Sequence, residues 1–138
     1  MENRKQLKEL SIDFAINVSD VCDKLSGCTV YKNQLIRSSS SIGANIHEAK
    51  YAQSRADFIS KLEISLKETS ESEYWLELIH RKHKISDNIH QKLMNDCGLI
   101  RRMLIASVTT AKKNANKSND YHYDLNYSVQ EDCPEFNW

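Results

Sequence analysis

Glu77-x-x-His80 is the arrangement in this chain with the plainest chemical use. Side chains three apart on a helix point to one side, so a carboxylate and an imidazole at that spacing make the two-ligand unit that di-iron four-helix bundles repeat. A centre of that kind needs a second unit and two further inward glutamates. Asp87-x-x-His90 follows close by, at an expected helix start, yet no matching carboxylates stand mid-helix. The histidines are therefore read as a solvated group at a helix end, and neither a metal nor another cofactor is expected. Arg37, Asn45, Glu48 and Glu73 are the other polar side chains that could be combined into a site. Covalent or acid-base catalysis requires a nucleophile beside an orienting base. The sequence supplies none, and the regular separation of these four suits an ion-pair and hydrogen-bond network between two helices. Cys22, Cys28, Cys97 and Cys133 show no C-x-x-C spacing. Cys22 and Cys97 fall on apolar helical faces, where a reduced cysteine acts as a small hydrophobe. The expectation is a protein that is not an enzyme and takes no small-molecule substrate.

The elements that must position these residues follow from periodicity. Within Gln34 to Leu78, at about 100° per residue, Leu35, Ser39, Ile42, Ile46 and Ala49 fall in one narrow arc, the core stripe of an amphipathic helix. Ser38, Ser41, Asn45 and Ala52 run beside it, with Arg37 and Glu48 a little further round. An edge of serines and an amide lets a neighbouring helix come close, and each buried polar group then needs a partner. Asn45 is expected to satisfy partners across that edge, so that Asn45→Leu would cost about 1 to 3 kcal/mol.

In chain order, the first helix should run from Lys5 to Ser26 on a face of Leu7, Leu10, Phe14, Val18, Val21, Cys22 and Leu25, with Gly27 as its stop. The second begins after a Thr29 cap and ends near Ala52; Gly43 inside it lowers helix propensity and so points to a close contact. Ser54 caps the third, Arg55 to Lys84, whose core face is Phe58, Leu62, Ser65, Leu66, Thr69, Ser72, Leu76, Ile79 and His83. Ser86 and Asp87 open the fourth, which keeps its apolar face from Ile89 to Ala111 and fades at Lys113. Residues 114–138 turn to Asn, Ser, Asp and Tyr without period, an acidic tail expected to be disordered or docked by its aromatics.

A chain of 138 residues with three glycines and one proline fits one all-α domain, an antiparallel up-down-up-down four-helix bundle over residues 1–113. No apolar run reaches the roughly 20 residues of a membrane span, and the N-terminus has no apolar signal core, so a cytoplasmic protein without membrane contact is expected. Charge divides unevenly behind a net of zero: the tail sets Lys117 against five acids, leaving the body at +4. The fourth helix is the most basic element, with Lys92, Arg101, Arg102, Lys112 and Lys113 against Asp96, and these five are the candidate nucleic-acid contacts. No aromatics interleave with them, and the neutral balance argues against strong non-specific binding. Ile12 and Ile16, with Ile64, Tyr74, Trp75 and Leu78, lie off the core faces. Large apolar groups so placed either cover a neighbouring helix or build a subunit interface.

The residues Gln34, Arg37, Ser38, Ser41, Ile42, Asn45, Ile46 and Glu48, followed by Phe58, Leu62, Ser70, Glu73 and Leu76, closely resemble the pattern of the four-helix-bundle family named for proteins encoded in 23S ribosomal RNA intervening sequences. The resemblance spans about residues 7 to 112. Where the family pattern continues Asn-Ile-Ala-Glu-Gly, His47 and Ala49 stand in the small-residue and glycine places, a departure that bears on the turn after the second helix. These are packing residues, so the resemblance implies a fold more than an activity. The family is similar to the accessory bundle proteins of diversity-generating retroelements, which assemble as pentameric barrels and bind nucleic acid and a reverse transcriptase. The resemblance thus implies a homo-oligomeric ring of five copies, partnered by structured RNA, DNA or a nucleic-acid enzyme. The alternative is a protein-interaction or structural oligomer with no nucleic-acid role.

Overall fold

Four helices account for nearly all of residues 5–115, the part of the chain that the computed structural model describes. They are α1 (Leu7–Asp23), α2 (Thr29–Ala49), α3 (Arg55–Arg81) and α4 (Asp87–Asn114). The described residues include no strand, and the all-α expectation holds. Of the expected tail, residues 116–138 lie outside the described residues. At a rise of about 1.5 Å per residue, α2 and α3 are about 30 and 40 Å long, while each connection has five residues (24–28, 50–54 and 82–86). Five residues reach at most about 18 Å, so each helix folds back on the one before it. The pairings run accordingly: ascending positions on α2 meet descending positions on α3, with Ser38 beside Ser72, Ile42 beside Ser65 and Glu48 beside Lys61. Each helix packs on its chain neighbours and α1 closes against α4, which puts α1 and α3 on one diagonal. No helix among the described residues is long and apolar enough to cross a membrane.

The helix ends show where local chemistry decides. Ser54 Oγ accepts from Asp57 N at 3.1 Å and Ser86 Oγ from Ile89 N at 3.2 Å, capping α3 and α4 at the expected serines. The start of α2 differs from expectation. Thr29 is its first helical residue, and Cys28, in the cap position, adopts φ 53° with no side-chain cap. Gly27 precedes it at φ 73°, so two successive left-handed residues turn the chain after α1. The second helix also stops sooner than expected, at Ala49, with the turn opening where the family pattern has its glycine. His83, expected on the core face, is exposed at φ 56° and terminates α3 instead. Ile89 likewise lies outside the core that its helix builds.

Phe14, Val18, Leu35, Ile42, Leu62, Leu76, Ile100 and Leu104 are fully buried and supply the centre of the core. Each such side chain contributes about 1.5 to 3 kcal/mol by leaving water. Ser11 is buried among them where α1 meets α2: a Cβ added at Gly43 would stand 3.0 Å from Ser11 Oγ, so the helices lie close enough here to leave little room for a side chain.

Candidate functional site

The seam between α2 and α3 is built from hydroxyls. Ser38, Ser39, Ser65, Thr69 and Ser72 are fully buried, and each is satisfied locally or across the seam. Ser65 Oγ donates to the Ile42 carbonyl at 2.9 Å, while Ser72 Oγ stands 2.9 Å from both Ser38 Oγ and the Glu68 carbonyl. Small side chains permit the approach, and their hydrogen bonds offset the cost of burying them. Among the described residues Asn45 makes no hydrogen bond across the seam. Its Nδ2 donates to the Ser41 carbonyl at 2.8 Å within its own helix, so the expected cross-helix role of the amide belongs to the serines instead.

Arg37, Glu48 and Glu73 do not join in one network. Arg37 Nη2 lies 2.5 Å from Glu71 and Nη1 3.3 Å from Glu68, Glu48 pairs with Lys61 at 2.8 Å, and Glu73 pairs with Arg101 of α4. Glu71 and Glu73 stand about 200° apart round α3, so one faces α2 and the other α4. The Arg37 guanidinium, donating directly to Glu71, holds that carboxyl below the usual range, whereas burial pushes the more enclosed Glu68 up despite the same arginine. Desolvation outweighs the charge at Glu68 because its ion pair is longer and its side chain only 18% exposed, against 35% for Glu71.

The basic residues of α4 are likewise divided. Lys92 pairs with Asp96 at 3.0 Å, Lys112 with Glu63 at 2.9 Å and Arg101 with Glu73. Arg102 and Lys113 are exposed and carry no ion pair among the described residues; eleven positions apart, they share the outward strip of the helix. Lys92 and the Arg101–Lys112 strip lie on other sides, so the five form no single face.

Off-core apolar groups sort into two kinds. Trp75 and Leu78 are half-buried, and Trp75 stacks on Tyr31 of α2 with ring centroids 5.9 Å apart while its indole donates to Glu71 at 3.1 Å. Its role is to cover the neighbouring helix. Ile12 (41%), Ile16 (53%), Ile64 (37%) and Tyr74 (58%) remain exposed. Val30, Ile36 and Tyr51, which periodicity did not single out, are exposed as well. Of the cysteines, Cys22 and Cys97 are buried free thiols, and burial pushes both up, Cys97 far up.

A last cluster joins the end of α3 to the start of α4. Glu77, His80 and His90 offer ligand atoms within 4.8 Å of one another, and the two imidazoles stack at 3.9 Å with planes 4° apart. The spacing places these histidines together at a helix end, but they are not solvated as expected: with the group assembled across the connection, His80 is 26% and His90 17% exposed. Both x-x-His spacings were its only trace in the sequence.

Residues 4–106 match the family described as 23S rRNA-intervening sequence protein. Among solved structures, the chain is similar to a protein of unknown function from the S23 ribosomal protein family of Bacteroides thetaiotaomicron VPI-5482. The identity is 43%, over 74% of this chain and 97% of that one, with a TM-score of 0.70. No curated protein matches the chain.

Proposed function

The chain belongs to the 23S rRNA-intervening sequence protein family, and on that premise we propose that it is a non-enzymatic, homo-oligomeric binding module: a closed ring of bundles that contacts structured RNA or DNA or a nucleic-acid enzyme. The observation carrying this reading is the placement of Ile12 and Ile16 on α1 and of Ile64 and Tyr74 on α3, large apolar groups left wet on diagonal corners. A ring uses a different face of each subunit for each of its two neighbours. Two apolar corners on opposite sides meet that requirement, α1 of one copy seating on α3 of the next. Five copies is the number the retroelement resemblance implies. Around such a ring Arg102 and Lys113 repeat, and weak phosphate contacts from single subunits add through avidity.

A second reading, a protein-only structural oligomer, is favoured by one specific observation: Lys92, Arg101 and Lys112 are already neutralised by Asp96, Glu73 and Glu63. Light scattering tests the assembly common to both readings. The wild type is expected to exceed monomer mass at micromolar concentration, and Ile16→Glu, which would desolvate a charge in the interface, to yield smaller and still helical species. A monomeric wild type, or a mutant as large as the wild type, overturns the ring. Binding to a mixed RNA and DNA pool across a salt series then separates the readings, since phosphate contacts weaken as counterions are added. Absence of binding at low salt decides for the protein-only oligomer.

A further inference from the structure

We propose that Glu77, His80 and His90 form a binding site for a divalent transition metal of the zinc class, stapling the end of α3 to the start of α4. Glu77 and His80 sit three apart near the end of α3 and point to one side, and the five-residue connection returns His90 to meet them. Two imidazoles and a carboxylate are a three-ligand set that Zn²⁺ accepts, with bonds of about 2.0 to 2.2 Å and the remaining position open.

The second observation is an orphaned atom. His90 Nε2 is buried and lies 3.0 Å from Glu77 Oε2, yet off the hydrogen-bonding direction, so it has no hydrogen-bond partner among the described residues. A buried nitrogen held 3.0 Å from a carboxylate but off the hydrogen-bonding direction is only partly compensated. An ion between the two would satisfy both.

The surroundings keep the set ready. Arg81 Nε donates to Glu77 Oε1 at 2.7 Å, which fixes the carboxylate with its other oxygen 3.0 Å from His90 Nε2. Asp87 Oδ1, 2.7 Å from His80 Nε2, supplies the carboxylate partner that commonly orients a ligating imidazole. Imidazole lone pairs lie in the ring plane, so two rings only 4° from parallel converge on one ion after one of them tilts. Loading therefore opens the stack, and that is observable.

The test uses the full chain, stripped with a chelator and titrated with Zn²⁺ alone by calorimetry and by imidazole NMR. The expected result is saturation at one equivalent per chain, with the His80 and His90 resonances moving together while those of His47 and His83 stay in place. A hundredfold excess over the dissociation constant should raise the melting temperature by about 10 °C. His90→Ala and Glu77→Gln should each weaken binding at least about tenfold, and His47→Ala should bind as the wild type does. Circular dichroism checks that each variant keeps its helicity, and the wild-type resonances need no variant. Absence of saturable binding, movement at His47 or His83 instead, or full affinity in both folded variants overturns the site.

Discussion

Gly43 and Glu71 show how much single positions decide here. Placing a Cβ at Gly43 brings it 3.0 Å from Ser11 Oγ, a distance that asks the serine to give by a few tenths of an ångström. Replacing glycine by alanine inside a helix contributes up to about 1 kcal/mol, so Gly43→Ala should be close to neutral. Gly43→Val adds a branched side chain to the same gap and should cost about 1 to 3 kcal/mol; urea denaturation of the pair checks both. Glu71 carries a pH signature. Its carboxyl is held low by Arg37, so the stabilisation is complete above the ordinary glutamate value of about 4.3 and disappears as pH falls through the depressed one. Glu71→Gln keeps an acceptor for Trp75 but discards the charge. It should lower stability by about 0.2 to 1 kcal/mol at pH 7, as partly exposed pairs do, and by less at a pH well below the ordinary glutamate value. An equal deficit at both pH values would show that packing, not charge, holds the pair.

At the scale of an element, helix termination is the point of strain. His83 ends α3 at φ 56°, a conformation that a residue with a Cβ adopts at a cost of about 1 kcal/mol or more. His83 is exposed and lies outside the Glu77–His80–His90 cluster. His83→Gly is therefore expected to stabilise the bundle by up to about 1 kcal/mol, partly offset by the freer unfolded chain. A rise of a few degrees in melting temperature by calorimetry is the sign to look for, and a fall would mean that the imidazole has a role beyond the turn.

For the whole molecule, the nucleic-acid contact proposed above would rest on the cations without ion-pair partners rather than on the basic total. Arg102 and Lys113 are the pair of α4 left without ion-pair partners among the described residues, whereas Lys92 has Asp96. If nucleic acid is bound as proposed, the double variant Arg102→Gln, Lys113→Gln should reduce the slope of log affinity against log salt by about 1 for each phosphate that is no longer neutralised. Lys92→Gln should leave that slope nearly unchanged. Filter binding across a salt series distinguishes them, and an unchanged slope in the double variant would remove the Arg102–Lys113 strip of α4 from the interface.

What the sequence determined by itself is the set of helices, their core stripes and two of their caps, because an apolar period of 3.6 and a serine before a helical run act through neighbours only a few residues away. Leu35, Ile42 and Ile46 are buried where periodicity places them, and Ser54 and Ser86 cap as expected. The flanks of those stripes were decided by tertiary structure. A helical wheel gives the angle of Glu73, Trp75 or Arg101 about its own axis, but not which neighbouring helix stands at that angle. Only packing pairs Glu73 with Arg101, seats Trp75 on Tyr31 and brings His90 against His80 and Glu77. Ser11 illustrates the same limit: its burial depends on Gly43 of the next helix, a dependence no local pattern contains.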